Sequence, residues 1–183
     1  MQTKGFTLIE LLIVIGIIAI LATAVLLVIN PAQILSETRD TQRLSDLDTV
    51  KAAINLASYN DSTLVFGAGP GCSVVLLAIP NPFDVDCSAA SGRAVDGTGW
   101  VKVNFGSSPS VATLPLDPTN TANYSYHYKG SGGTNGTFEV DGRLESAKHR
   151  AKMVDDGGNK NTCTSTFVED DCWYEVGTKL NQA

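Results

Sequence analysis

The residue whose setting most demands a chemical role is Glu10. It is the one charge in an apolar run from Phe6 to Ile29, and the nineteen residues after it, Leu11 to Ile29, carry none. As a helix rising about 1.5 Å per residue, this run spans roughly 36 Å, more than the roughly 30 Å hydrocarbon core of a bilayer. A carboxylate at membrane depth is costly unless it lies near the interface or meets a partner, so Glu10 marks a functional site by default.

The other residues able to do chemistry are scattered. Four cysteines, Cys72, Cys87, Cys163 and Cys172, allow three pairings and show no zinc-ribbon spacing. In an exported domain, where disulfides persist, sequential pairing of Cys72 with Cys87 and of Cys163 with Cys172 is expected. Closing a loop of roughly 15 residues is worth about 3 kcal/mol in the chain-entropy model. Free buried thiols are the alternative in an organism that does not oxidise its exported proteins. Acidic clusters at Asp155-Asp156 and Glu169-Asp170-Asp171 offer oxygen ligands, which makes Asp155, Asp156, Asp170 and Asp171 weak calcium candidates; solvated surface acids are the default, and no cofactor is expected. His127 and His149 share no ligand-spacing partner and read as surface residues. No G-x-S-x-G, H-E-x-x-H or P-loop motif is present, so the chain does not read as an enzyme.

Composition bounds the partners. The chain has 183 residues, 43% hydrophobic, 7% aromatic and 17% charged, with much of the apolar content in the first 29 positions. The remaining 150 or so suit one domain. A formal net charge of −6 is a poor balance for an extended nucleic-acid surface. The basic cluster Lys148, His149, Arg150 and Lys152 reads as a solvated face, so the charge balance argues against a nucleic-acid partner.

An ordinary secretory leader would put a small-residue cleavage site at Ala22-Thr23-Ala24, but its apolar core is expected to be about 7 to 15 residues, shorter than this one. A plain transmembrane anchor leaves Glu10 unexplained. The segment Lys4-Gly5-Phe6-Thr7-Leu8-Ile9-Glu10-Leu11-Leu12 resembles the processing motif of bacterial type IV pilins and of the pseudopilins of type II secretion. The resemblance implies cleavage between Gly5 and Phe6 by a prepilin peptidase, N-methylation of Phe6, and packing of the apolar helices with identical subunits into a helical filament on an inner-membrane assembly platform. It makes Glu10 the fifth mature residue, the acid that neutralises an N-terminal amine. A free α-amine, with a pKa near 7.7 to 8.0, is a natural counter-charge. Leu114 to Asn120, the tyrosine-rich Tyr124 to Lys129, Leu144-Glu145-Ser146 and Tyr174 to Thr178 also resemble segments of small pilins and major pseudopilins. Related major pseudopilins hold calcium in a C-terminal loop, to which this sequence has no residue-by-residue match.

The resemblance implies an α+β, pilin-like fold: a long N-terminal helix packed on a small antiparallel sheet. The expected divisions are a leader at 1–5, a membrane and filament-core helix at 6–30, its amphipathic continuation at 31–60, and a β-rich globular head at 61–183. Pro31 should kink or loosen the helix, since proline removes a donor and clashes with the preceding turn. Gly16 is a second soft point. From Ala32 to Asn60, Ile34, Leu35, Leu44, Leu47, Val50, Ile54 and Ala57 form an apolar stripe, with Glu37, Arg39, Asp40, Arg43, Asp46, Asp48 and Lys51 on an outer face. Strands are expected at Ser73–Ile79, Trp100–Phe105, Tyr124–Lys129, Thr137–Leu144 and Trp173–Val176, with the third and fourth joined as a hairpin through Gly130–Gly136. The function implied is a structural subunit of a type IV pilus-like surface filament, or alternatively the major pseudopilin of a type II secretion system. The subunit would sit as a single-pass protein in the cytoplasmic membrane before assembly and afterwards in an extracellular or periplasmic filament.

Overall fold

The computed structural model describes residues 5–74, 83, 92–106, 109–121, 123–163 and 172–180. It falls into two compact units, residues 1–36 and 37–183.

In the first unit, α1 (Leu8–Val28) is a 21-residue helix of almost wholly apolar residues, and its window Leu8–Val25 is long and apolar enough to cross a membrane. It runs unbroken through Gly16, so the cost of glycine is absorbed without a local break. The break falls at Ile29, whose extended backbone ends α1 while its N–H still donates to the Val25 carbonyl. α2 (Pro31–Asn60) then begins with Pro31 at its first position, where the missing N–H is no loss. Asn30 caps that start, its side-chain oxygen accepting from the Gln33 N–H at 3.4 Å and its carbonyl from Ile34. The long helix expected to kink or loosen at Pro31 is two helices meeting at Asn30-Pro31.

In the second unit, Leu47, Val50, Ala53 and Ile54 of α2 are buried in one core, which confirms the lower part of the stripe. They share it with Tyr126, Tyr128, Phe138, Val140 and Val176 of the sheet region and with Trp100, Val101, Val103 and Leu114 from loops. The sheet has four antiparallel strands in the order β1 (Gly71–Cys72), β2 (His127–Gly130), β3 (Phe138–Gly142) and β4 (Tyr174–Gly177). The β2–β3 hairpin pairs His127 with Asp141 and Gly130 with Phe138, and its loop turns through the left-handed backbone of Gly132 and Gly133, φ 80° and 76°. A five-residue helix, α3 (Arg150–Val154), buries Met153 beside Leu144 and Cys172.

Three strand expectations change. Trp100–Phe105 keeps its alternating burial but forms no ladder, because its backbone groups bond to loops: Trp100 N–H to Gly92, Phe105 N–H to Val95, and Gly67 N–H to the Lys102 carbonyl. The tyrosine strand starts at His127 instead of Tyr124, which lies in a local bridge with Thr121. Of Ser73–Ile79, Ser73 and Val74 lie outside any strand and the rest outside the described residues, while the short β1 forms just before them.

Candidate functional site

The N-terminal segment positions its polar groups by a reciprocal cap. Thr7 stands before the first turn of α1 and Glu10 is the third residue inside it. The Glu10 carboxylate accepts from the Thr7 backbone N–H at 2.9 Å and from its hydroxyl at 2.8 Å, and the Glu10 N–H donates back to the Thr7 hydroxyl oxygen at 3.3 Å. This capping box satisfies donors that a helix start leaves unpaired. The T-x-x-E spacing carries this signal, and a reading centred on charge passes over it. Thr7 thus holds the Glu10 carboxylate at the residue next to Phe6. Gly5 and Phe6 are exposed, Phe6 at 86%, as are Ile9, Leu11, Leu12, Ile13, Val14 and Ile15 along the helix. A single chain thus presents an apolar rod with one carboxylate at its head.

In the second unit, charges expected on the outer face of α2 are buried. Arg43 and Asp40 are fully buried. The Arg43 guanidinium donates to both oxygens of Asp117 at 2.6 and 2.9 Å and to Asp40 at 3.0 Å, pairs with Glu145 at 2.6 Å, and stacks 4.7 Å from the Tyr124 ring centroid. Asp40 in turn accepts from the backbone N–H groups of Glu145 and Ser146, and Arg39 donates to Glu145 at 2.9 Å. Burial alone opposes the charge of Arg43, but its carboxylate partners win and hold its pKa above the ordinary arginine value. Burial likewise opposes ionisation of Asp117, and Arg43 with Thr119 reverses this, leaving its pKa low. These bonds fasten α2 to the loops after Leu114 and Leu144, and Tyr126 adds a bond from its hydroxyl to Asp46. The outer face is thus mixed: Asp48 is exposed and Lys51 half-buried, while Asp40 and Arg43 form an internal clamp.

The sheet face away from this core is polar and also buried. His127, Asp141 and Glu175 lie in one row across β2, β3 and β4, and Lys129 and Glu139 share the next. His127, expected at the surface, is fully enclosed, with one ring nitrogen 2.9 Å from the Ser125 hydroxyl and the other 3.5 Å from Cys72 sulfur. Its ring meets Trp173 edge-on, Trp173 also carries the Arg143 guanidinium, and burial pushes the imidazole pKa down to about 3. Glu139, Asp141 and Glu175 offer three carboxylate oxygens within 4.8 Å of one another. Burial, with Glu139 and Glu175 alongside, raises the Asp141 pKa well above the usual range, and Glu175 rises for the same first reason.

The acids singled out in the sequence fare differently. Asp156 is half-buried and ties its loop to β4, accepting from the N–H groups of Gly158 and Glu175. Asp155 is exposed and contributes no ligand oxygen to that trio, while Asp170 and Asp171 lie outside the described residues. The acids in reach of a common ion were missed because Glu139 and Asp141 alternate with Phe138 and Val140, a pattern that reads as one wet face. Cys163 and Cys172 are disulfide-bonded, with Cα atoms 4.8 Å apart; Cys72 is disulfide-bonded as well, and Cys87 lies outside the described residues.

No curated protein and no solved structure gives a match to this chain. Residues 1–26 match the family model described as the prokaryotic N-terminal methylation motif, a stretch that contains Gly5, Phe6, the Thr7–Glu10 cap and most of α1. The chain therefore carries, in that segment, the prepilin-type signature of type IV pilins and pseudopilins.

Proposed function

We propose that the chain is a structural subunit of a type IV pilus-like surface filament, cut by a prepilin peptidase between Gly5 and Phe6, methylated on Phe6 and assembled through α1. The observation that carries this reading is the exposed apolar helix headed by a capped Glu10. Alone in water such a rod exposes far more contiguous apolar surface than a soluble monomer tolerates; lipid and then neighbouring copies of the same helix are its natural surroundings. The prepilin-type motif also favours a structural subunit over an enzyme. Before assembly the subunit is a single-pass membrane protein, and the new Phe6 amine supplies the counter-charge for Glu10.

Sheared surface filaments test this directly. N-terminal sequencing and intact mass should find this chain as their dominant protein, starting at a methylated Phe6. A mature terminus at Val25, after the small-residue site, would contradict the processing. A correctly processed chain confined to a periplasmic filament would favour the major pseudopilin of a type II secretion system instead, since the motif serves both.

A further inference from the structure

The buried acids on the sheet call for a ligand. Asp141 sits in the middle of β3, its side chain on the face opposite the α2 core, with no part of the residue exposed. Both its carboxylate oxygens are buried without a hydrogen-bond partner, as is one oxygen of Glu175. A buried polar atom left unpaired is desolvated without a compensating bond, at a cost that is larger for a charged one. Carboxylate oxygens, one each from Glu139, Asp141 and Glu175, lie within 4.8 Å of one another, on adjacent strands whose register is locked by the Asp141–Glu175 pair.

We propose that Glu139, Asp141 and Glu175 form a binding site for a hard divalent cation of the calcium type. Oxygens that share one calcium ion lie 2.3–2.6 Å from it and hence no more than about 5 Å from one another, which the 4.8 Å envelope of the three carboxylates satisfies. All-oxygen donors suit a hard cation and disfavour soft thiolate-seeking metals. Gly158 packs so closely on Glu175 that a Cβ there would overlap its carboxylate, whose Oε2 is fixed by the Lys160 backbone N–H at 3.0 Å. Of the three, Glu175 also lines a surface cavity of about 380 Å³ at β4, together with Asp48, Asp155, Asp156, Lys51 and Lys152. The site joins β3, β4 and the Asp156–Lys160 loop, so the ion acts as a staple of the head. This inference is independent of the filament reading.

The test is thermal unfolding and calorimetric titration of the full chain in detergent, first stripped with chelator, then given calcium or magnesium alone. Calcium at a hundredfold excess over its dissociation constant should raise Tm by about 5–10 °C, with measurable binding heat. Asp141→Asn keeps the shape and removes the charge; stripped of metal it should melt no lower than wild type and gain nothing from calcium. An Asp155→Asn control should keep the full calcium response. A wild-type Tm and binding heat indifferent to calcium would overturn the site. So would an Asp141→Asn chain that folds and still shows the full response, or a response to magnesium with none to calcium.

Discussion

Arg43 shows how much of the head hangs on one side chain. Its guanidinium is buried on α2 and bonded to carboxylates from two distant loops, so Arg43→Ala leaves Asp117 and Glu145 without their shared cation. Breaking a buried pair from one side costs about 3–5 kcal/mol, and denaturant unfolding of the variant should show a loss of that order. The pH dependence has a definite sign. Asp117 ionises more readily folded than unfolded, because Arg43 and Thr119 outweigh burial. Its contribution is therefore fully present above about pH 4, the ordinary aspartate range, and is lost as pH falls through the lower folded value. Without Arg43 the largest part of that contribution is absent at every pH, so the stability gap between wild type and Arg43→Ala should narrow as pH drops below about 4. A gap unchanged from pH 7 to pH 3 would separate Asp117 from the clamp.

Elements in this chain are held where local pattern and long-range bonding agree. The Cys163–Cys172 disulfide ties the chain just ahead of β4, where the Trp173 N–H donates to the Lys160 carbonyl. In the chain-entropy model a loop of this length contributes about 2–3 kcal/mol. The double variant Cys163→Ser with Cys172→Ser should unfold at correspondingly lower denaturant, and non-reducing peptide mapping of exported wild type should also recover the bond we propose between Cys72 and Cys87. Four alkylatable thiols in intact exported protein would contradict both pairings. The same comparison of local with distant forces explains which elements can be read from sequence. The apolar period of Leu47, Val50 and Ile54 and the glycine-bounded hairpin are local patterns, and both are found. Trp100–Phe105 has a strand's alternation, yet its partners are loop carbonyls, which alternation does not encode. Asp40 and Arg43 look like a solvated pair because Asp117 and Glu145 lie more than 70 positions further along the chain. Glu139 and Asp141 look wet because nothing local says that the second face of the sheet is covered.

At the scale of the whole molecule, the head and the apolar rod meet different demands, and Glu10 is where the rod's demand concentrates. The structure gives its carboxylate one role, as the acceptor that completes the Thr7 cap, and the processing we propose would add a second, as a negative charge near the new Phe6 amine. Three substitutions separate them. Glu10→Gln keeps an acceptor suited to a capping box but removes the charge. Glu10→Asp keeps the charge and shortens its reach by one methylene. Glu10→Val removes both while easing the burden of an acid in an apolar setting, so the variant subunit should stay in the membrane at normal level. If charge neutralisation of the Phe6 amine drives assembly, an unpaired cation would be buried in any polymer lacking the acid, a penalty of roughly several kcal/mol even after relaxation. Glu10→Gln should then fail to yield filaments as completely as Glu10→Val, with Glu10→Asp retaining partial yield. If the cap alone matters, Glu10→Gln should assemble like wild type. Filament yield from sheared cells, measured beside membrane-bound subunit level for all three variants, distinguishes the outcomes. Normal filaments built from the Glu10→Val chain would make the acid a passenger in both roles.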